Sequence, residues 1–449
     1  MKSIAIPLKN KPIDESYSNR FLRALWATLR LEFGKLAWQY SPRKDGYRRV
    51  IYFGYADIAL SFTIHIGIMY KKKGIIESVV FEDVFDKTEF PVDKFQHCVS
   101  VAENASEYEF YVSSEIIVPY GLQFHNYQRS EAFSLLTHNS QKTNIFLFLS
   151  RDLHKTDLQI KIQAFDDADA NHQFMLYAHP ILDVLSAFTN LFFDIGKPRK
   201  CVTFLNHPQQ IKSMLNHDWL DGYPIVENKL MLSDECLKLI EDIVQSNINK
   251  NKQLILDACH HFHSARSLQE RYCFYSQTES ISEIAMVLYI SSVEVLSLIN
   301  APISSSCPTC SQPQHRISSR VVEFMERHNG INIASMIKGL YNDRSKYLHA
   351  GRLLSSRSYN GKIIPQLKSS SDNGVLSPMS LAPIHNLREF TSFCIRSETY
   401  HEYNLTSNEC SHHTYSENVE TDIEYKSSNK YLEFLSETYE YLKNKIKAL

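Results

Sequence analysis

The chain predicts an α+β fold, with a β-rich N-terminal domain over residues 1–225 and an all-α helical bundle over residues 226–449. Three features carry this expectation. From Arg48 to about Phe165, β-branched and aromatic runs divided by turn-forming segments read as strands. Beyond residue 230, apolar residues recur every three or four places, the period of helices. Between them, the stretch up to Pro224 is irregular and rich in Asn, His and Gly, which places the boundary within residues 200–230. A chain of 449 residues is expected to form two domains, and 43% hydrophobic against 22% charged residues supplies an ample core.

Taken in order, residues 14–40 read as a helix, because Phe21, Leu22, Leu25, Trp26, Leu29, Phe33 and Leu36 form one stripe, with Ser16 or Ser18 as cap. Strands follow in RVIYFGYADIALSFTIHIGIMY, GIIESVVFEDV, YEFYVSSEIIVPYGLQF, TNIFLFLS and LQIKIQAF, divided by KKKG, ENASE and HNSQKT into a mainly antiparallel array. His65, His97, His125 and His138 stand singly and carry no assigned role. Lys71, Lys72 and Lys73 read as a solvated hairpin turn ahead of any RNA contact. Residues 179–196 read as a helix with Pro180 in its first turn and Gly196 at its end. The basic GKPRKC, with Lys197, Arg199 and Lys200, reads as a solvated linker ahead of a phosphate contact.

The helical half begins with SDECLKLIEDIVQSNI, capped by Ser233 with Asp234 and Glu235 in its first turn. NKQLILDACHHFHSARSLQERYCFY follows, then SISEIAMVLYISSVEVLSLINA with Ser280 or Ser282 as cap. SSRVVEFMERHNG, INIASMIKGLYNDRSKYLHAG, IHNLREFTSFCIRSETYHEY and NKYLEFLSETYEYLKNKIKAL complete the bundle. Residues 355–383 and 404–429 are polar, Ser/Asn-rich and read as long loops.

Net charge of −2 and a pI near 6.8 exclude a bulk electrostatic pull on nucleic acid, so any RNA contact must come from a local basic patch. The first residues hold no apolar run of signal-peptide length, and residues 58–70 are too short to span a bilayer. The cytoplasm is therefore the expected compartment, with no membrane partner, and the nine cysteines are expected to be reduced. Cys307 and Cys310 in CPTC form half of a structural zinc site. His315, Cys394, Cys410, His412 and His413 are candidates for the other half, and the competing reading is a reduced, exposed loop. His260, His261 and His263 invite a metal, yet no carboxylate at matching spacing stands out, so they read as ordinary polar helix positions.

The residues that point to chemistry lie in YNDRSKYLHAGR, residues 341–352. Arg344 stands five places before His349, with Gly351 just after. A guanidinium is a permanently charged fork that matches phosphate oxygens. An imidazole titrates near neutral pH and can move a proton on or off a hydroxyl. Together they suffice to help a ribose 2′-hydroxyl attack its own phosphodiester without a metal. Arg396 and His401 in RSETYH repeat the spacing but lack the closing Gly, and read as a solvated helix face.

The block LYNDRSKYLHAG, with SVEVLSLI upstream, resembles the HEPN superfamily, and most closely the ApeA-like HEPN proteins of bacterial antiphage defence. The resemblance spans roughly the last half of the chain and is sharp over these twelve residues. It implies a metal-independent endoribonuclease that cuts RNA, with tRNA as a target class, in abortive infection. It also implies a homodimer or higher homo-oligomer and a phage-derived trigger. His349 would act as general acid or base, Arg344 would steady the charge on phosphorus, and Glu294 would orient Arg344. Tyr341, Asp343, Lys346 and Tyr347 are the companion RNA-binding candidates. On a regular helix, Arg344 and His349 fall about 140° apart. Either the helix ends before His349, or the working site combines residues from two chains. The competing classes are a non-catalytic HEPN module that binds RNA or protein, and a zinc-scaffolded structural protein.

Overall fold

In the computed structural model, the described residues are 3–10, 14–34, 36–45, 48–59, 62–72, 74–83, 90–117, 134–135, 138–139, 145–152, 155–201, 225–226, 229–230, 232–272, 279–301, 317–330, 333–350, 366–367, 375–376 and 381–408. The fold is α+β, with sheets in the N-terminal part and mostly helices in the C-terminal part.

The first layer is a five-stranded antiparallel sheet. It comprises β1 (Ser3–Pro7), β2 (Leu36–Asp45), β3 (Arg48–Ala59), β4 (Phe62–Lys72) and β5 (Ile75–Asp83), in spatial order β1-β5-β4-β3-β2. Helix α1 (Glu15–Phe33) inserts after β1, and α2 (Val92–Asn104) follows β5. Phe21, Leu25, Trp26 and Leu29 of α1 pack with Ile64, Val79, Phe81, Phe95 and Val99 into one core cluster. Fully burying a side chain of this size is worth about 1.5–3 kcal/mol, so the stripe read from the sequence holds the helix on the sheet.

Two corrections concern α1. Its cap is Asp14, which accepts from the Tyr17 amide at 2.8 Å, while Ser16 and Ser18 lie inside the helix. It stops at Phe33, where Gly34 adopts φ 79°, and Leu36 already begins β2. The apolar Leu36 and Ala37 fit either period, so the pattern alone could not mark that break. Strand β1 and helix α2 were not expected.

The second sheet is built from β6 (Tyr108–Ile117), β8 (His138–Asn139), β9 (Phe146–Asp152) and β10 (Lys155–Ala164) with two later strands, while β7 (Ser134–Leu135) lies between β6 and β8 in sequence only. Helix α3 (Asp167–Thr189) follows, then β11 (Asp194–Ile195) and β12 (Arg199–Cys201), both antiparallel to β6. The order is β11-β6-β10-β9-β8, and β7 belongs to a small sheet with β13 (Ile225–Val226) and β14 (Lys229–Leu230).

Helix α3 begins well before residue 179. Asp166 caps it, accepting from the Asp169 amide at 2.7 Å, and Pro180 sits in its interior. The RKC of GKPRKC is strand β12 rather than linker, though its cations stay exposed: Arg199 reaches Asp157 at 3.0 Å and Lys200 reaches Asp167 at 3.1 Å. The α3 N-terminus also fastens α1. Arg30 grips Asp166 with two bonds of 2.8 Å, and Arg23 grips Asp169 with two of 2.9 Å. Carboxylates at a helix N-terminus are favoured there before any partner arrives.

The helical part contains α4 (Asp234–Gln245), α5 (Lys250–Tyr272), α6 (Glu279–Leu296), α7 (Ile317–Asn329) and α8 (Ala334–Ala350). The paired β15 (Gln366–Leu367) and β16 (Val375–Leu376) precede α9 (Leu381–Asn408). Ser233 caps α4 as the sequence suggested, accepting from the Cys236 amide at 3.2 Å. Ser280 and Ser282 fall inside α6, which starts at Glu279. One hydrophobic cluster includes Val112, Phe148 and Ile160 of the second sheet, Leu185 of α3, Phe262 of α5, Tyr289 of α6 and Ile395 of α9. Residues on both sides of position 225 thus share a core. None of the described helices is long and apolar enough to cross a membrane.

Candidate active site on the helical bundle

Helices α6, α7 and α8 bring polar side chains together around Glu294. On α6, Ser292 donates to the Ala258 carbonyl of α5 at 2.8 Å, and the Tyr289 ring lies 5.3 Å from that of Phe262. These contacts fix how α5 and α6 face each other. Glu294, less than one turn beyond Ser292, forms an ion pair of 2.7 Å with Arg344 Nη2 of α8. The two side chains are 21% and 16% exposed, so the pair is shielded from bulk water yet open on one side. Among the described residues, Arg344 Nε is buried without a hydrogen-bond partner. The Arg344 guanidinium also lies over Tyr341, 5.6 Å from the ring centroid, while that ring packs against the core.

Arg320 of α7 joins from the side, donating to Ser297 Oγ at 3.0 Å. Its charge reaches Tyr341, whose hydroxyl is nonetheless pushed up, first by burial and then by the Glu294 carboxylate. His261 of α5 also lies within the electrostatic reach of Glu294. Burial lowers the His261 ring below its ordinary value, and neighbouring His260 lowers it further.

His349 is placed differently. Helix α8 runs through it to Ala350, so the option that the helix ends before His349 is corrected. The five-residue step turns the ring about 140° and lifts it about 7.5 Å from Arg344. His349 and Leu348 are exposed on the last turn of the helix. Arg344 and His349 therefore look in different directions within one chain.

Of the companion residues, Tyr341 lies under Arg344, and Asp343 pairs with Lys346 at 3.5 Å on the outer side of α8. Tyr347 is half-buried. The second Arg–His spacing lies on α9. Arg396 stands over the Phe393 ring at 5.7 Å, and the His401 ring is 6.4 Å from His328 of α7. His328 in turn is tied to Glu398 at 2.7 Å.

The carboxylate partner that spacing could not find for the α5 histidines comes from α3. Asp183 binds His260 Nδ1 at 3.0 Å and His263 Nδ1 at 2.7 Å, and His263 Nε2 meets the Phe193 carbonyl at 2.8 Å. Burial alone would raise Asp183; the bonds from His260 and His263 outweigh it and hold the carboxyl below its ordinary value. The same carboxylate raises His260. Among the described residues no group of three or more His, Cys, Asp or Glu is arranged to hold a metal ion. Cys307 and Cys310, with His315, Cys410, His412 and His413, lie outside the described residues. Cys394 is buried against Asn329 and Met325, and burial pushes its thiol up to about 12, away from the thiolate a metal would need.

Sequence reading named Glu294, Arg344 and His349, and took His261 for an ordinary polar helix position, but did not single out Arg320 or Asp183. Arg320 stands in SSRVV with no motif around it, and Asp183 is separated from His260 by 77 residues. No family model matches the chain, and no curated protein or solved structure matches it.

Proposed function

We propose that the chain is a metal-independent endoribonuclease of the HEPN type, acting on RNA as a homodimer or larger homo-oligomer. The observation that carries this reading is the Glu294–Arg344 ion pair, which holds a guanidinium at a half-open site on the helix that also presents an exposed His349. In the reaction, the 2′-hydroxyl loses its proton and its oxygen bonds to phosphorus. The P–O5′ bond breaks, and the leaving 5′-oxygen takes up a proton. His349 handles one of these protons, and Arg344 steadies the charge on the pentacovalent phosphorus. The products are a 2′,3′-cyclic phosphate and a 5′-hydroxyl. Because Arg344 and His349 diverge by about 140° on one helix, the site is completed by the second copy. The HEPN-like motif supports a role in antiphage defence through abortive infection, with a phage-derived trigger and tRNA as the substrate class.

The test is cleavage of total tRNA by the purified chain and by His349→Ala. His349 is exposed, so the variant keeps its fold and melting temperature while cleavage drops by about 100-fold or more. A variant that cuts as well as the parent, or a parent that cuts no RNA, leaves a non-catalytic binding module.

A further inference from the structure

We propose that Arg320 is a second phosphate-binding residue of the Arg344 site, holding the RNA by a backbone phosphodiester next to the one that is cut. This rests on the ribonuclease reading above and adds to it a cation from a helix outside the motif.

The geometry is a relay of three short contacts on one side of α6. Arg344 Nη2 of α8 pairs with the Glu294 carboxylate at 2.7 Å. Ser297, three residues on, donates its hydroxyl to the Glu294 carbonyl at 2.6 Å. The same Ser297 oxygen accepts from Arg320 Nε of α7 at 3.0 Å. The Ser297 amide still bonds to the Val293 carbonyl at 2.9 Å, so the helical turn continues through it. Three helical residues advance about 4.5 Å and leave the two side chains about 60° apart around the axis. Arg320 is thereby fastened to the side of α6 that holds Arg344, offset along it by less than one turn. The core beneath agrees. Val293, Val321 and Leu340, the direct neighbours of Glu294, Arg320 and Tyr341, belong to one hydrophobic cluster. The Arg344 guanidinium lies over the Tyr341 ring, and the charge of Arg320 acts on the hydroxyl of that same tyrosine.

Arg320 also has capacity to spare. Elsewhere in the fold Arg30, Arg266 and Arg388 each meet a carboxylate, at 2.8, 2.6 and 2.8 Å. Arg320 is half-buried too, yet among the described residues its bond is to the neutral Ser297 and no carboxylate pairs with it. A guanidinium drawn partly out of water without a counter-ion is costly, and an anionic ligand offsets that cost. Its Nε is committed to Ser297, so the edge formed by the two Nη groups remains for the ligand, and that fork matches a pair of phosphate oxygens. Arg320 and Arg344 are two cations facing the single carboxylate of Glu294, which leaves one positive charge for the one negative charge of a phosphodiester. Asp343 and Lys346 pair with each other and leave that balance unchanged. In a chain of net charge −2, a local excess of this kind is what RNA must find.

Arg344 serves the scissile phosphate in the reading above, so the offset along α6 assigns Arg320 to the adjacent one. A contact there is equally strong before and during the reaction, so its loss should raise KM and leave kcat little changed.

The experiment compares parent and Arg320→Gln in two assays, cleavage of total tRNA and binding of an uncleavable 2′-O-methyl oligoribonucleotide across a salt series. The variant's KM and Kd should rise by about 10-fold, as for one lost charge-assisted contact, with kcat close to parental. The slope of log Kd against log salt should become shallower by about 0.7, the share of one phosphate on a single strand. A folded variant with parental Kd and parental salt slope overturns this inference and leaves the ribonuclease reading standing. Arg320-dependent binding in a parent that cuts no RNA upholds the phosphate contact and overturns the ribonuclease reading. A parent that neither binds nor cuts overturns both. Should Arg320→Gln fold poorly, the parent itself is reacted with phenylglyoxal and the modified arginines are mapped by mass spectrometry. The oligoribonucleotide should slow modification of Arg320, and equal rates with and without it overturn the proposal.

Discussion

Arg344 Nη2 stands 2.7 Å from Glu294 Oε2, so a single ion pair ties α8 to α6 at the point where Tyr341 enters the core. Glu294→Ala leaves a half-buried guanidinium with an orphaned nitrogen. The variant is expected to lose about 1–3 kcal/mol, between the values for exposed and buried pairs. Urea denaturation checks this, and the Glu294→Ala, Arg344→Ala double mutant should cost less than the sum of the two single changes.

The divergence of Arg344 and His349 along α8 predicts complementation. Neither Arg344→Ala nor His349→Ala should cut RNA alone. Mixed in equal amounts and allowed to exchange subunits, they should recover about a quarter of parental activity, because half of the dimers then hold one intact site of two. Recovery is read as the rate of tRNA cleavage after mixing, and none is expected if each site lies within one chain.

The Asp183 clamp makes stability depend on pH in a defined direction. His260 is raised above its ordinary 6.5, so its contribution is complete below that value and is lost as pH climbs through the raised one. Asp183 is lowered from 3.8, so its contribution is complete above that value and is lost as pH falls through the depressed one. The stability difference between parent and Asp183→Asn should therefore be greatest from about pH 4 to 6.5, at about 1–3 kcal/mol, and shrink above it. Urea midpoints measured across pH 4 to 9 give that difference.

Gly54 of β3 is pressed against α1. A Cβ there would stand 2.1 Å from Cη2 of the buried Trp26 ring and 3.1 Å from the Ala37 carbonyl oxygen. Gly54→Ala should cost about 1–3 kcal/mol through overpacking, visible as a lower melting temperature.

Thiol reactivity should sort by burial. Cys98 and Cys394 are pushed up by burial to about 11 and about 12, and Cys236 and Cys259 are raised by burial as well. Cys201 is only half-buried. Among these five, Cys201 should react first with a disulfide reagent in the native state, and the others only on unfolding.

The order of strands then helices was legible because periods of two and of three to four can be read in the runs themselves, as in LQIKIQA and LKLIEDIV. Local chemistry marked Ser233 as a cap because Asp234 and Glu235 follow it. The early start of α3 was missed because DADANHQFMLYAHP has a weak apolar stripe and Pro180 looked like a beginning. Its Asp166 cap instead draws strength from Arg30, a partner 136 residues away. In the site, Arg344 was singled out by the short motif YNDRSKYLHAGR, and Glu294 only by the family resemblance of the upstream SVEVL. His261 and Asp183 owe their setting to helix packing, which no spacing along one helix reveals.

The two orientations on α8 have a consequence for dosage. If one molecule presents the cation and another the exposed ring, the rate of cutting grows faster than linearly with copy number. Sparse chains are then nearly harmless to their host, and crowding them together is enough to arm them.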